Sequence, residues 1–156
     1  MVDKIVSRIQ FEMEQIDHLF DSYADLLNQV QHEVPDLVRT TALASVLHSF
    51  YNGLENIFVN IAKEIDNSVP HGPQWHRDLL LQVTERTADR PPVLAPKTAQ
   101  LLGEYLAFRH FYRHSYSMFL AWDEMKSLVM ALDVVWTRIK DELGKFLDFL
   151  STEGKA

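Results

Sequence analysis

The chain has 156 residues, 47% of them hydrophobic and 24% charged, with no cysteine and a formal net charge of −7. Such a length fits one domain, residues 1–156, with a sizeable core, and the composition excludes a disordered chain, a disulfide framework, a thiol nucleophile and a thiolate metal site. The acidity excludes a surface that coats nucleic acid all over, so any polyanion must be held at a local patch.

The N-terminal stretch MVDKIVSRIQFEMEQ lacks the apolar core of a signal peptide, and no apolar run reaches the ~18 residues of a membrane span. The expectation is a cytoplasmic protein with no membrane partner. From Ile5 through Ile9, Met13, Ile16, Leu19, Phe20, Tyr23, Leu26, Leu27 and Val30, apolar residues recur every three or four positions. That spacing predicts a helix from about Lys4 to His32, with Glu12, Glu14, Asp17, Asp21 and Asp25 on a solvated face.

After Pro35 the period resumes from Leu43 to Ile65 and stops at DNSVPHGP, where two prolines block continuation. Asn52, Glu55 and Asn56 interrupt this apolar helix with polar groups. They either bridge helices in the core or orient the residues of a site. A short helix, WHRDLLLQVTER, follows, with Trp75 as its core anchor. The stretch ADRPPVLAPK reads as extended or looped, because three prolines disfavour helix for themselves and for the residue before each.

Helix resumes near Thr98, read as an N-cap, and carries AQLLGEYLAFRHF. In the last segment Met125, Leu128, Leu132, Val135, Ile139, Leu143, Phe146 and Leu150 alternate three- and four-residue steps, the seam of a packed bundle that a dimer could also share. No segment alternates with period two. The predicted fold is all-α, an antiparallel bundle of four long helices plus one short helix.

Between the last two helices lies RHFYRHSY, Arg109 to Tyr116, where an acidic chain gathers two arginines, two histidines and two tyrosines. At about 100° per residue, Arg109, Tyr112, Arg113 and Tyr116 share one stripe of a helix, while His114 lies roughly 140° from Arg109. One straight helix cannot aim both at the same point. Either the helix ends or distorts between them, or a second copy of the chain completes the site. Ser115 and Ser117 favour a break, and Asp123 can cap the helix that follows.

The spacing Arg-x4-His-x-Tyr, filled by Arg109, His114 and Tyr116, resembles the signature of HepT-like ribonuclease toxins of the HEPN superfamily. The segments YNGLENIFVNIAKEID and PHGPQWHRDLL are similar to one HepT-like subfamily, so the resemblance covers most of the chain. It implies a metal-independent endoribonuclease without cofactor, working on mRNA or tRNA as a homodimer with the motif at the dimer interface. It also implies a minimal nucleotidyltransferase antitoxin that transfers AMP to the motif tyrosine, Tyr116, in a type VII-like toxin–antitoxin pair.

The residue types suit that chemistry. RNA cleaves itself when its 2′-OH attacks the adjacent phosphate, which needs proton transfer and cationic stabilisation of the phosphorane. His114 can exchange protons near neutral pH. Arg109 can grip phosphate oxygens as their charge grows. Tyr116 can bind phosphate or stack on a base, and Arg113 and His110 add positive potential, with Asn52 and Glu55 in support. AMP on Tyr116 would inhibit by bulk and like charge.

Three other readings stand beside this one. In the first, Arg109 and Arg113 are plain surface charge or pair with Glu104 or Asp123. In the second, the chain is a non-catalytic helical dimer or adaptor that binds a nucleotidyltransferase; the third is a metal-binding bundle. His110 and His114, four apart, have metal-pair spacing but no carboxylate-rich third and fourth ligand accompanies them. His18, His32, His48, His71 and His76 are scattered and suggest nothing shared.

Overall fold

The computed structural model describes residues 2–153, and every regular element among them is helical: α1 (Val2–Ser22), α2 (Ala24–Gln29), α3 (Leu37–Glu64), α4 (Trp75–Gln82), α5 (Pro96–Arg113) and α6 (Trp122–Glu153), with a 3₁₀ turn at Ser117–Phe119. The fold is all-α. The predicted first helix is divided. Ser22 Oγ donates to the His18 carbonyl at 2.8 Å, a side-chain bond that competes with the helical ladder, and Tyr23 leaves helical geometry at φ −110°, ψ 17°. Helix then ends at Gln29 rather than His32.

Two helix starts show how local and tertiary signals divide the work. Asp36 caps α3 from its own chain neighbourhood, its carboxylate accepting from Arg39 N–H at 2.9 Å. At α5 the start is Pro96, whose fixed φ suits the first helical turn, after an extended Ala95. Thr98 is therefore not the cap. It is fully buried and donates to Glu142 of α6 at 2.6 Å, while the other oxygen of Glu142 accepts the Ala95 N–H, also at 2.6 Å. The cap is a carboxylate from another helix. Likewise Asp123 stands within the first turn of α6 rather than at its cap. The short helix α4 stops at Gln82, not Arg86, where the Thr84 hydroxyl takes the Leu81 carbonyl at 2.6 Å.

Cross-helix partners give the direction of packing. Arg8 meets Glu64 and Ile16 meets Gly53, so α1 and α3 run antiparallel. His48 meets Tyr112 while Glu55 meets Arg109, and Thr98 meets Glu142 while Tyr105 meets Leu128, so α5 is antiparallel to both α3 and α6. One apolar cluster fills the centre, with Phe20, Phe50, Tyr105 and Trp136 meeting ring to ring at 5.5–6.4 Å. All eight seam residues from Met125 to Leu150 are buried within the chain itself, so this seam is not left for a dimer to share. On the acidic face of α1, half-exposed Asp17 accepts from Trp136 Nε1 at 2.8 Å and from Lys140 at 3.2 Å.

The proline-rich linker before α5 is fixed by a buried arginine. All five N–H donors of Arg90 are used: Nε and Nη2 reach Asp66 at 2.7 and 2.8 Å, and the rest reach the carbonyls of Glu85, Pro91 and Gln82. Val93 and Leu94 both donate to the Val83 carbonyl and bury their side chains. This binds the linker to the end of α3 and holds α4 beside α5. A groove of ≈ 1030 Å³ runs between those two helices.

Candidate functional site

α5 ends at Arg113, and His114 is the first residue out of helical geometry, at φ −113°, ψ 13°. The break therefore falls inside Arg-x4-His-x-Tyr. Its last member does not continue the helical stripe. Tyr116 sits on the turn beyond, 73% exposed, with its ring 6.3 Å from Phe119, and it does not line the groove. Arg109, His110, Arg113 and His114 do line it, joined from α4 by His76 and Arg77. His110 and His114 remain one turn apart, ring centroids 4.6 Å from each other.

Arg109 is the anchored member. Its Nε donates to Asn52 Oδ1 at 2.7 Å, and Nη2 lies 3.6 Å from Glu55 Oε1, both on α3. Glu104 and Asp123 are not its partners. The second oxygen of Glu55, a buried carboxylate, accepts from His76 Nδ1 at 2.7 Å. His76 in turn lies against Trp75, ring centroids 3.6 Å apart. A carboxylate thus ties the motif arginine to α4, and the guanidinium, held on two sides, still faces the groove. Asn56, the third polar residue of this run, is exposed.

The chain of contacts continues on the other side. With its oxygen taken by Arg109, Asn52 must present its NH₂, and this donates to His48 Nε2 at 3.0 Å. His48 is then neutral, with its proton on Nδ1. That buried nitrogen has no partner among the described residues, and the ring packs against Tyr112 at 4.8 Å between centroids. Burial, and then the positive charges of Arg109 and Arg113, hold the His48 pKa below its ordinary value. Beneath the site, burial and then the Glu55 charge push Tyr51 upward, which keeps that phenol protonated.

Six residues therefore form one network across three helices: His48, Asn52 and Glu55 from α3, His76 from α4, and Arg109 with Tyr112 from α5. Sequence reasoning grouped Asn52 and Glu55 with Arg109 but set His48 and His76 aside as unrelated. The signal for His48 was present, since it stands four residues before Asn52 on one helix. Nothing local marks His76, which is 21 residues from Glu55 and joins it only through the fold. Among the described residues, no three His, Cys, Asp or Glu side chains are placed to hold a metal ion.

The arrangement can do one kind of chemistry well. A fixed guanidinium, two further arginines and three imidazoles border a groove whose lining, among the described residues, contains no carboxylate. An anion is favoured there, and groups able to move protons stand beside it. A family model described as HepT-like protein matches residues 42–150. No curated protein and no solved structure matches the chain.

Proposed function

The chain belongs to the HepT-like proteins of the HEPN superfamily, and from that membership we propose that it is a metal-independent endoribonuclease toxin, cytoplasmic and homodimeric, controlled by a minimal nucleotidyltransferase antitoxin. The observation that carries this reading is the tethering of Arg109 to Asn52 and Glu55 at the groove where His114 also stands. A guanidinium fixed before substrate arrives needs no reorganisation when charge develops on a phosphorane.

In this mechanism the ribose 2′-oxygen attacks the adjacent phosphorus, the P–O5′ bond breaks, and a 2′,3′-cyclic phosphate and a 5′-OH result. Arg109 stabilises the phosphorane oxygens. His114 takes the 2′-OH proton or returns one to the leaving 5′-oxygen. Arg113 and His110 hold neighbouring phosphate charge. Tyr116, exposed on its turn, contacts RNA in the active protein and is the acceptor of AMP in the inhibited one, its hydroxyl displacing pyrophosphate from ATP.

His114→Ala should abolish cleavage of single-stranded RNA in EDTA and toxicity on expression, while helix content and oligomeric state stay those of the wild type. A cleaving His114→Ala protein would sink the mechanism. One observation favours a second reading, a non-catalytic adaptor: Tyr116, Met118 and Phe119 expose 73%, 70% and 61% of their surface on one turn, as an apolar protein-binding tip would. Wild-type protein that binds the nucleotidyltransferase but cleaves no RNA would put that reading first.

A further inference from the structure

Beyond the motif, the groove runs on along α5 as an apolar channel. Its floor is the helix face that carries Ala99, Gly103 and Ala107, and α4 supplies Leu81 as a wall. Leu81 is 54% exposed, a large apolar side chain that the core leaves to the channel. A Cβ at Gly103 would meet nothing within 4 Å, so the space over that floor is open. At the other end stand Arg77 and Arg113, and no lining residue is acidic among those described. The chain as a whole carries −7.

A strip of small residues alone would suit another helix as well as a ligand. The charge at its end decides between them. An apolar bed that opens into uncompensated cations matches a ligand with one flat, weakly polar end and one anionic end. From His110 to Gly103 is about 10 Å along the axis of α5, comparable with the reach of one nucleotide from its phosphate to the far edge of its base. Resting on the ribonuclease reading above, we propose that this channel is the subsite for a nucleotide adjoining the scissile phosphate. Arg77 and Arg113 hold its phosphate, and its base lies over Gly103 against Leu81. The bed is mainly apolar, with Gln100 and Thr84 as the polar side chains at its far end, so it retains a base chiefly by burial.

Gly103→Phe fills the channel from its floor, and replacing a mid-helix glycine does not weaken the helix. Gly144→Phe is the matched control on α6, where an added Cβ also meets nothing within 4 Å. The probe is a fluorescein-labelled, mixed-sequence single-stranded oligoribonucleotide with 2′-O-methyl sugars, which cannot be cleaved. By anisotropy, Gly103→Phe should weaken binding about tenfold, within the range for loss of one base contact, and Gly144→Phe should bind as the wild type does. Both should melt and elute as the wild type. Equal binding by Gly103→Phe would overturn the subsite. So would a changed oligomeric state in Gly103→Phe, which would make a second copy the occupant, or a wild-type protein that does not bind the probe. Cleavage assays separate the two readings. Cleavage lost in His114→Ala with Gly103→Phe binding unchanged would remove the subsite and leave the ribonuclease. Probe binding sensitive to Gly103→Phe in a wild type that cleaves nothing would keep the channel as an RNA subsite and remove the chemistry.

Discussion

At the level of single residues, the site depends on which hydrogen-bonding role each side chain is forced to take. Arg109 fixes the Asn52 amide, the amide fixes the acceptor nitrogen of His48, and His48 can be protonated only by breaking that order. Its pKa is lowered in the folded chain from 6.5, so the unfolded state binds the proton first. The stability it contributes is complete above pH 6.5 and is lost as pH falls through the folded value. Urea midpoints should drop between neutral pH and about pH 5 in the wild type, and by less in His48→Gln, whose side-chain oxygen still accepts from Asn52. Glu55 makes a larger contribution. Its removal leaves Arg109 nearly buried without its carboxylate, so Glu55→Ala should cost about 3 kcal/mol by urea denaturation, and RNA cleavage should fall with it. Asn52 and Glu55 could be singled out from sequence because polar residues in an apolar helix need a partner, and Arg109 because it stands in the cationic cluster and opens the Arg-x4-His-x-Tyr spacing. His76 could not, because only packing brings α4 to α3.

At the level of elements, the sequence was legible wherever a signal was local. Apolar period and proline punctuation located α3, α4, α5 and α6, and the antiparallel arrangement followed. The misreadings of Thr98, of the first helix and of the end of α4 came from partners distant in the chain or from side chains competing with the backbone. Thr98 has the chemistry of an N-cap, yet its hydroxyl is directed to Glu142, 44 residues away, and Pro96 begins the helix instead. That makes Glu142 the cap of α5 from outside. Glu142→Ala should lower stability by about 1–2 kcal/mol, read as a lower melting temperature, and should loosen the first turn of α5 in hydrogen exchange before the rest of the helix. The division of the first helix at Tyr23 was equally hidden, since apolar spacing continues across it while the Ser22 hydroxyl unsettles the ladder.

At the level of the whole molecule, shape and charge are distributed unequally. No described helix is long and apolar enough to cross a membrane, and the longest apolar seam is spent on the chain's own core. Prominent at the surface are an acidic body, a groove whose lining has no carboxylate among the described residues, and an apolar turn beside it. The groove's cations face the same solvent as the body's acids, and at physiological ionic strength each is felt over only about 8 Å. A polyanion farther off meets a weakly repelling particle, and the attraction begins only at the mouth of the groove. A stiff duplex would have to bring many phosphates against the acidic body for each one it seated. A flexible end or loop can enter by itself. On the ribonuclease reading, the acidic body would act as a filter on the mechanical stiffness of RNA, applied before any base or phosphate is recognised.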